Sequence, residues 1–392
     1  MGGGGAGTGA GTGGANLLAL RSHNTALVLD LLRTAGAEGI SRLELAERTG
    51  LTPQAVSKIT ARLRDEGLAA EAGRRASTGG KPRTVLRLVP GAGHALGVHL
   101  DRDELRAVLV DLDGTVVAER CAPLDLGAGA ETVLEGVARA AAELAAEGLG
   151  HLVAEAARVP GAALAAAPTL LGLGVALPGP LDHVRGVLHR ITGFPGWDGY
   201  PLREALERRL GVPVVVDKDT NAAALGLAVG GAGAGDGTFA YLHLGTGLGA
   251  GLVFGGGVHR GARTGAGEFG HQVVQLDGPP CTCGARGCIE ALCLAAVASG
   301  DLAEAARVLG TGAANLAGLL DIDLVLLGGR TVAAAPGAFV HGVGAVLDAR
   351  ARREGGHDGA VPVRLAPGGP RAVAEGAAQL LLAPLFGRGE TG

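Results

Sequence analysis

Residues 239–257, FAYLHLGTGLGAGLVFGGG, constrain the fold more than any other stretch. An apolar run breaks into glycines spaced two apart, and a second apolar run follows, the pattern of a strand set around a turn. Such a glycine loop bares backbone N–H groups that phosphate oxygens can approach. It is also what an ordinary strand-to-turn junction looks like in a chain of 392 residues with 72 glycines. Two readings stand open on these residues alone: a working phosphate site, or the retained shape of one.

The flanking sequence alternates strands with helices. ALGVHLDRDELRAVLVDLDGTVVAER (95–120) reads as two or three adjacent strands, one turning at Asp113-Gly114. A helical pattern runs from Ala130 to Glu147. A buried strand at 171–177 ends in Pro-Gly-Pro, and another helix lies near Leu202–Leu210. VPVVVDKDTNAAALGLA (212–228) is a buried strand feeding a helix, and DLVLLGG and AVAEGAAQLLL close the chain with a strand and a helix. This alternation predicts an α/β architecture, and the recurring strand–glycine–strand units suggest two similar lobes. With aromatics at only 2%, the cores must be built from Ala, Val and Leu. The longest near-uncharged stretch, 159–180, is interrupted by Pro and Gly, against a membrane helix. The N-terminus lacks the basic start and apolar centre of a signal peptide, so a cytoplasmic protein with no membrane partner is expected.

The first 20 residues begin MGGGGAGTGAGTGGA, which cannot form a core, and are expected to be a disordered tail. From residue 21 to 87 the chain carries 12 Lys and Arg against 7 Asp and Glu, although its net charge is −4. Leu27, Val28, Leu31 and Leu32 make a helical stripe. Ser41 and Glu44 make a capping box for a second helix that stops at Gly50. Thr52 and Pro53 start a third, whose apolar face is Val56, Ile59 and Leu63. Two short helices joined through TGLT form a helix-turn-helix. The open face of the second carries Gln54, Ser57, Lys58 and Arg62, side chains able to read base edges or reach phosphates. The basic hairpin RRASTGGKPRTVLRL follows as a wing, offering Arg74, Arg75, Lys81 and Arg83 to the DNA backbone.

Four of the five cysteines fall within residues 281–293. Cys281, Cys283 and Cys288, at C-x-C-x4-C spacing, can converge on one tetrahedral ion, with His271 as fourth ligand. That donor set predicts a closed, structural zinc site. Cys121 and Cys293 are expected to pack as small apolar residues.

In order along the chain, LPGPLD, FPGW, VVVDKDTNAAALG, GTGLGAGLVFGGGVHRGARTGAGEFGH and CTCGARGCIE resemble the blocks of the ROK family of bacterial sugar kinases and sugar-responsive repressors. The resemblance covers roughly residues 23 to 386. It implies an actin-like, sugar-kinase fold of two lobes around a cleft, and a winged helix-turn-helix in front is the arrangement of the repressor branch. It implies that Asp219 falls where family kinases place the carboxylate that binds the sugar and deprotonates its attacking hydroxyl. Asn221 lies in the same block, and Glu268, His271 and Glu290 fall where the family contacts sugar hydroxyls. The chain departs from the family pattern at Lys218, Gly193 and Leu227, where family kinases often have Asn, Asn and Glu.

A kinase of this fold needs two phosphate loops. The second is represented by Gly245, Thr246, Gly247 and Gly249. The first should resemble D-x-G-G-T-K, but here reads Asp101, Arg102, Asp103, Glu104, Leu105, Arg106. Two acidic side chains in place of glycines would repel a triphosphate. The glycine loop is therefore expected to be vestigial, with no bound ATP. The expected organisation is a DNA-binding domain at 21–90, a first lobe at 91–235 to which a helix at 370–386 returns, and a second lobe with the zinc motif at 236–369. The expected function is a repressor, dimeric or tetrameric on operator DNA and released by a sugar or sugar phosphate. The alternative is an ATP-dependent hexose kinase with a DNA-binding appendage, in which Asp219 would be the catalytic base.

Overall fold

The computed structural model describes residues 23–75, 83–156, 169–191, 193–232, 237–355 and 360–388. The expected tail at 1–20 and Lys81 lie outside them. The N-terminal module comprises α1 (His23–Thr34), β1 (Ile40–Ser41), α2 (Arg42–Thr49), α3 (Pro53–Asp65), β2 (Ala69–Arg75) and β3 (Arg83–Leu88). Its three strands form an antiparallel sheet in the order β1-β3-β2. Ser41 Oγ accepts the Glu44 N–H, Glu44 returns a bond to the Ser41 N–H, and Gly50 stops α2 at φ +68°. Thr52 caps α3 ahead of Pro53. Val56 and Leu63 are fully buried, while Ile59 packs half-buried against the same core.

The first lobe holds β4 (Gly93–Leu100), β5 (Glu104–Asp111), β6 (Val116–Pro123), α4 (Ala130–Ala156), β7 (Thr169–Leu177), β8 (Leu181–Asp182), β9 (Val187–Leu188), α5 (Leu202–Leu210), β10 (Val214–Lys218) and α6 (Asp219–Val229). Its main sheet has the order β10-β7-β4-β5-β6, an antiparallel meander extended by two parallel strands. Helix α4 runs past the expected end at Glu147. Gly148 resembles a stop signal, but it is a packing position: a Cβ there would overlap the Leu109 side chain on β5.

The second lobe repeats the plan with β11 (Phe239–Leu244), β12 (Leu248–Phe254), β13 (Gly257–Val258), α7 (Ile289–Ala298), α8 (Leu302–Leu320), β14 (Leu324–Gly328), α9 (Arg330–Ala334), α10 (Pro336–Arg353) and β15 (Val363–Leu365); α11 (Ala372–Leu382) follows and packs on the first lobe's sheet. The sheet order is β13-β12-β11-β14-β15, again a meander followed by parallel strands.

Helices α6 and α11 lie together between the sheets, α6 against β12 and α11 against β4 and β7. Glycine permits this. A Cβ on Gly174 of β7 would overlap the Ala377 carbonyl, and one on Gly97 of β4 would overlap the Ala374 carbonyl. The helices themselves meet at Gly226 and Gly376. The chain then turns so that Leu385 and Phe386 join one apolar cluster with Val28, Leu29 and Leu32 of α1. Gly174→Ala is expected to force α11 off the sheet and lower stability by about 1–3 kcal/mol, the usual cost of overpacking, read as a lower denaturant midpoint.

Candidate functional site

A cleft of about 660 Å³ opens between the lobes. Asp219, Glu268, His271 and Glu290 all line it, although they come from α6, a loop and α7. Asp219 is the first residue of α6, where the helix dipole favours a carboxylate, and it accepts its neighbour Thr220 N–H at 2.6 Å. Glu290 opens α7 and accepts the Leu248 N–H at 2.9 Å, tying α7 to the start of β12. Glu268 faces Lys218, whose ammonium lies 2.6 Å from the carboxylate and also donates to Ala266 O at 2.9 Å. The Lys218 stem packs beside Gly179.

Asn221 lies elsewhere. It is fully buried and absent from the cleft lining, because its side chain donates to Asp217 at 3.0 Å. Asp217, itself 1% exposed, also accepts Arg260 at 2.7 Å. This buried acid needs both donors, and Asn221 is spent on it.

His243 lines the cleft too; it is bonded to Tyr241 at 2.9 Å, and its ring meets that of His99 edge-on. Burial pushes the His99 imidazole down to about 4. It is therefore neutral at physiological pH.

Gly245, Thr246, Gly247 and Gly249 form the turn between β11 and β12 and the first residues of β12, and all but Gly245 line the cleft. The Thr246 hydroxyl donates to Asp101 across the lobes at 2.7 Å. Burial would push the Asp101 carboxyl up, but the Thr246 bond, helped by His99 and Arg330, outweighs it and holds it below the usual range. Asp103 turns outward and takes Arg330 of the second lobe in a forked pair at 2.9 and 3.1 Å. Glu104 pairs with Arg106. The substitutions expected to repel phosphate thus engage arginines, and Asp103 and Arg330 bridge the lobes. Nothing in the local sequence marks Arg330 as the partner of Asp103, 227 residues away.

His271, Cys281, Cys283 and Cys288 place their donor atoms within 4.8 Å of one another. The Cys281 Sγ to His271 Nδ1 and Cys283 Sγ to Cys288 Sγ distances are both 3.7 Å. A tetrahedron with ~2.3 Å metal–sulfur bonds has edges of about 3.8 Å, so the donor set and spacing fit a tetrahedral ion. Burial, and then the neighbouring thiols, push Cys288 up to about 12, so a bound cation would have to displace its proton. Thr282, Cys283 and Gly284 also form part of the cleft wall. Cys293 is buried against Ala305 O, as a small apolar residue would be. Cys121 is exposed on β6, because the outer face of this edge strand is open.

In the N-terminal module, Gln54, Ser57 and Lys58 are exposed along α3, and Arg74 and Arg83 are exposed on the wing strands. Arg75 pairs with Arg83 in the backbone register. Arg62 is exposed as well, and its guanidinium also donates to Thr25 of α1 at 2.8 Å.

A family model described as the ROK family matches residues 95–300, and one described as winged helix-turn-helix DNA-binding matches residues 28–69. The chain is 28% identical to a putative xylose repressor of Caldicellulosiruptor sp. (strain Rt8B.4) over 74% of its own length and 79% of that protein's. It is 31% identical to the DNA-binding transcriptional dual regulator NagC of Escherichia coli (strain K12), over 71% of its own length and 64% of that protein's. It is 28% identical to the xylose repressor of Bacillus subtilis (strain 168), spanning 61% of that protein. Among solved structures, a ROK family transcriptional regulator homologous to the E. coli MLC protein superposes with a TM-score of 0.72, at 21% identity, over 94% of this chain and 97% of that one, a likeness of fold. A ROK family glucokinase from Streptomyces griseus, solved with glucose and AMPPNP, superposes at 0.59 and 26% identity over 74% of this chain and 99% of that one. With the family pattern running through more than half of its length, this chain belongs to the ROK family.

Proposed function

We propose that this protein is a sugar-responsive transcriptional repressor that binds operator DNA as a homodimer in the cytoplasm and releases it when a sugar enters the cleft. The observation that carries the reading is a connected path from the cleft to the DNA-binding module. Asp219 opens α6 in the cleft, and Val229 closes it. The Val229 carbonyl accepts Arg388, whose other nitrogen pairs with Asp30 of α1 at 2.9 Å. The names of the xylose and N-acetylglucosamine repressors among its relatives support the same reading. So does the absence, among the described residues, of any helix long and apolar enough to cross a membrane.

Carboxylates suit a sugar because each oxygen accepts hydroxyl hydrogens. Asp219 and Glu290 take the ring hydroxyls. Glu268 joins them while held by Lys218, and His271 turns its second ring nitrogen to the ligand. Zinc bound by His271, Cys281, Cys283 and Cys288 is structural: it fixes the His271 ring and the cleft wall at 282–284. Sugar binding changes the lobe angle, and with it the spacing of the two α3 helices on their half-sites. Asp103 and Glu104 stand where a kinase of this family has glycines, which favours this reading over a kinase.

Three outcomes are expected. Freshly purified protein contains one zinc per chain, and Cys283→Ser loses it, by elemental analysis; metal-free wild type would refute the site. Lys58→Ala weakens operator binding by about 1–3 kcal/mol if Lys58 touches a base, measured against random duplex at physiological salt. Asp219→Ala removes charged hydrogen bonds worth about 1.5–3 kcal/mol, so its sugar affinity falls roughly tenfold or more while operator binding persists. Titrating sugar into operator-bound wild type and Asp219→Ala tests this. Release of both at the same concentration would place Asp219 outside the sensing pocket.

A further inference from the structure

The charges of the cleft are unevenly satisfied. Every cleft carboxylate already accepts from the protein: Asp101 from Thr246, Asp219 from the Thr220 N–H, Glu268 from Lys218 and Glu290 from the Leu248 N–H. The cations are different. Lys218 is matched by Glu268, but the guanidinium groups of Arg102 and Arg190, which line the same cleft, have no hydrogen-bond or ion-pair partner among the described residues. Each carries five N–H donors.

Arg102 is also aimed. It stands in the degraded first phosphate loop, where Asp101 is tied to Thr246 and Asp103 is drawn outward by Arg330. Its guanidinium lies 5.5 Å from the centre of the Phe194 ring, which supports it by a cation–π contact. From there it faces the glycine loop. A Cβ placed on Gly247 would lie 4.0 Å from Arg102 Nη2 and 3.2 Å from a Glu290 oxygen, and one on Gly193 would lie 3.4 Å from Arg102 Nη1. Gly193 and Gly247 therefore leave open a gap with an arginine on one side and a carboxylate on the other. A ligand that fills it needs hydroxyls for the carboxylate side and an anion for the arginine side.

We infer that the ligand of this cleft is an acidic monosaccharide, its hydroxyls on Asp219, Glu268 and Glu290 and its carboxylate or phosphoryl group against Arg102 and Arg190. The inference rests on the sugar-cleft reading above and names the ligand class. A planar guanidinium fork matches either anion. Asp219 and Glu290 repel an anion and Lys218 is already neutralised, so the acid group is confined to the Arg102 end.

The test is calorimetry on the full-length, zinc-replete protein with matched sets: glucose, glucuronate and glucose 6-phosphate; galactose and galacturonate; N-acetylglucosamine and its 6-phosphate. One acidic member is expected to bind about tenfold or more tighter than its neutral parent. That preference should shrink with added salt and fall toward unity in Arg102→Met. Arg190→Met, at an exposed position, should reduce it in part and serves if Arg102→Met does not fold. The carboxylate and phosphate arms identify the acid group. Neutral parents binding as tightly as both acidic partners, or a preference that survives both substitutions, overturns the inference and leaves the sugar-cleft reading standing. If no sugar in any set binds, the sugar-cleft reading fails, and the inference falls with it.

Discussion

The close approach of α11 to the first sheet is the contact on which the rest of the structure depends. With so few aromatics, the chain has no large side chains to span gaps between layers. Its answer is to remove the gaps. Gly97 and Gly174 let helix backbone rest on strand backbone, and Gly226 and Gly376 let α6 do the same against α11. The surrounding core is Ala, Val and Leu, with Ala374, Ala377 and Ala378 fully buried. Interiors packed this way transmit displacement rather than absorb it, because no soft side chain lies between the backbones. The two lobes and the N-terminal module are thereby mounted on one pair of helices.

Polar ties between the lobes are placed around this apolar centre. They are unequal. Arg260 and Asp217 form a largely buried pair, to which Asn221 and the Lys218 N–H also donate, and removing Arg260 would leave a buried charge unpaired. Arg330 and Asp103 are largely exposed, and such a pair contributes about 0–1 kcal/mol. The second ties the first lobe to α9 at the surface.

Much of this was legible in the sequence, for reasons that differ between elements. The caps at Ser41 and Thr52 are local chemistry, so the N-terminal helices could be read with their ends. The Cys–His cluster was legible because three of its donors sit within eight consecutive residues and a tetrahedral site tolerates few other arrangements. The end of α4 was not, because Gly148 carries the same letter whether it stops a helix or admits Leu109 beneath it. Asn221 was placed among the ligand groups from the motif it shares with Asp219. Two positions further along a helix is the opposite face, and there it meets Asp217. Arg102, Arg190 and Arg330 gave no signal, since an arginine's partner is decided by the tertiary fold and those of Arg330 are more than 200 residues distant.

The same geometry bears on how a ligand in the cleft could reach DNA. A ligand shifts an equilibrium only by the difference in its affinity for the two states, so the cleft must differ between them at the ligand-binding groups. Asp219 and Glu290, the carboxylates proposed to hold it, sit on different helices, α6 and α7, that border the same cavity. Helix α6 is eleven residues long and nearly all buried, so it moves as a rod of about 16 Å rather than bending. A tilt at Asp219 reappears at Val229, where Arg388 holds the helix end and Asp30 of α1 together, while Arg33 of α1 rests on Phe386 at 4.7 Å. The contact with α1 is therefore made by the segment that follows α11, and α11 is clamped to β4, whose far end leads into Asp101. Helix α6, which carries Asp219, and the segment that follows α11 thus meet the DNA-binding module at the same helix, α1.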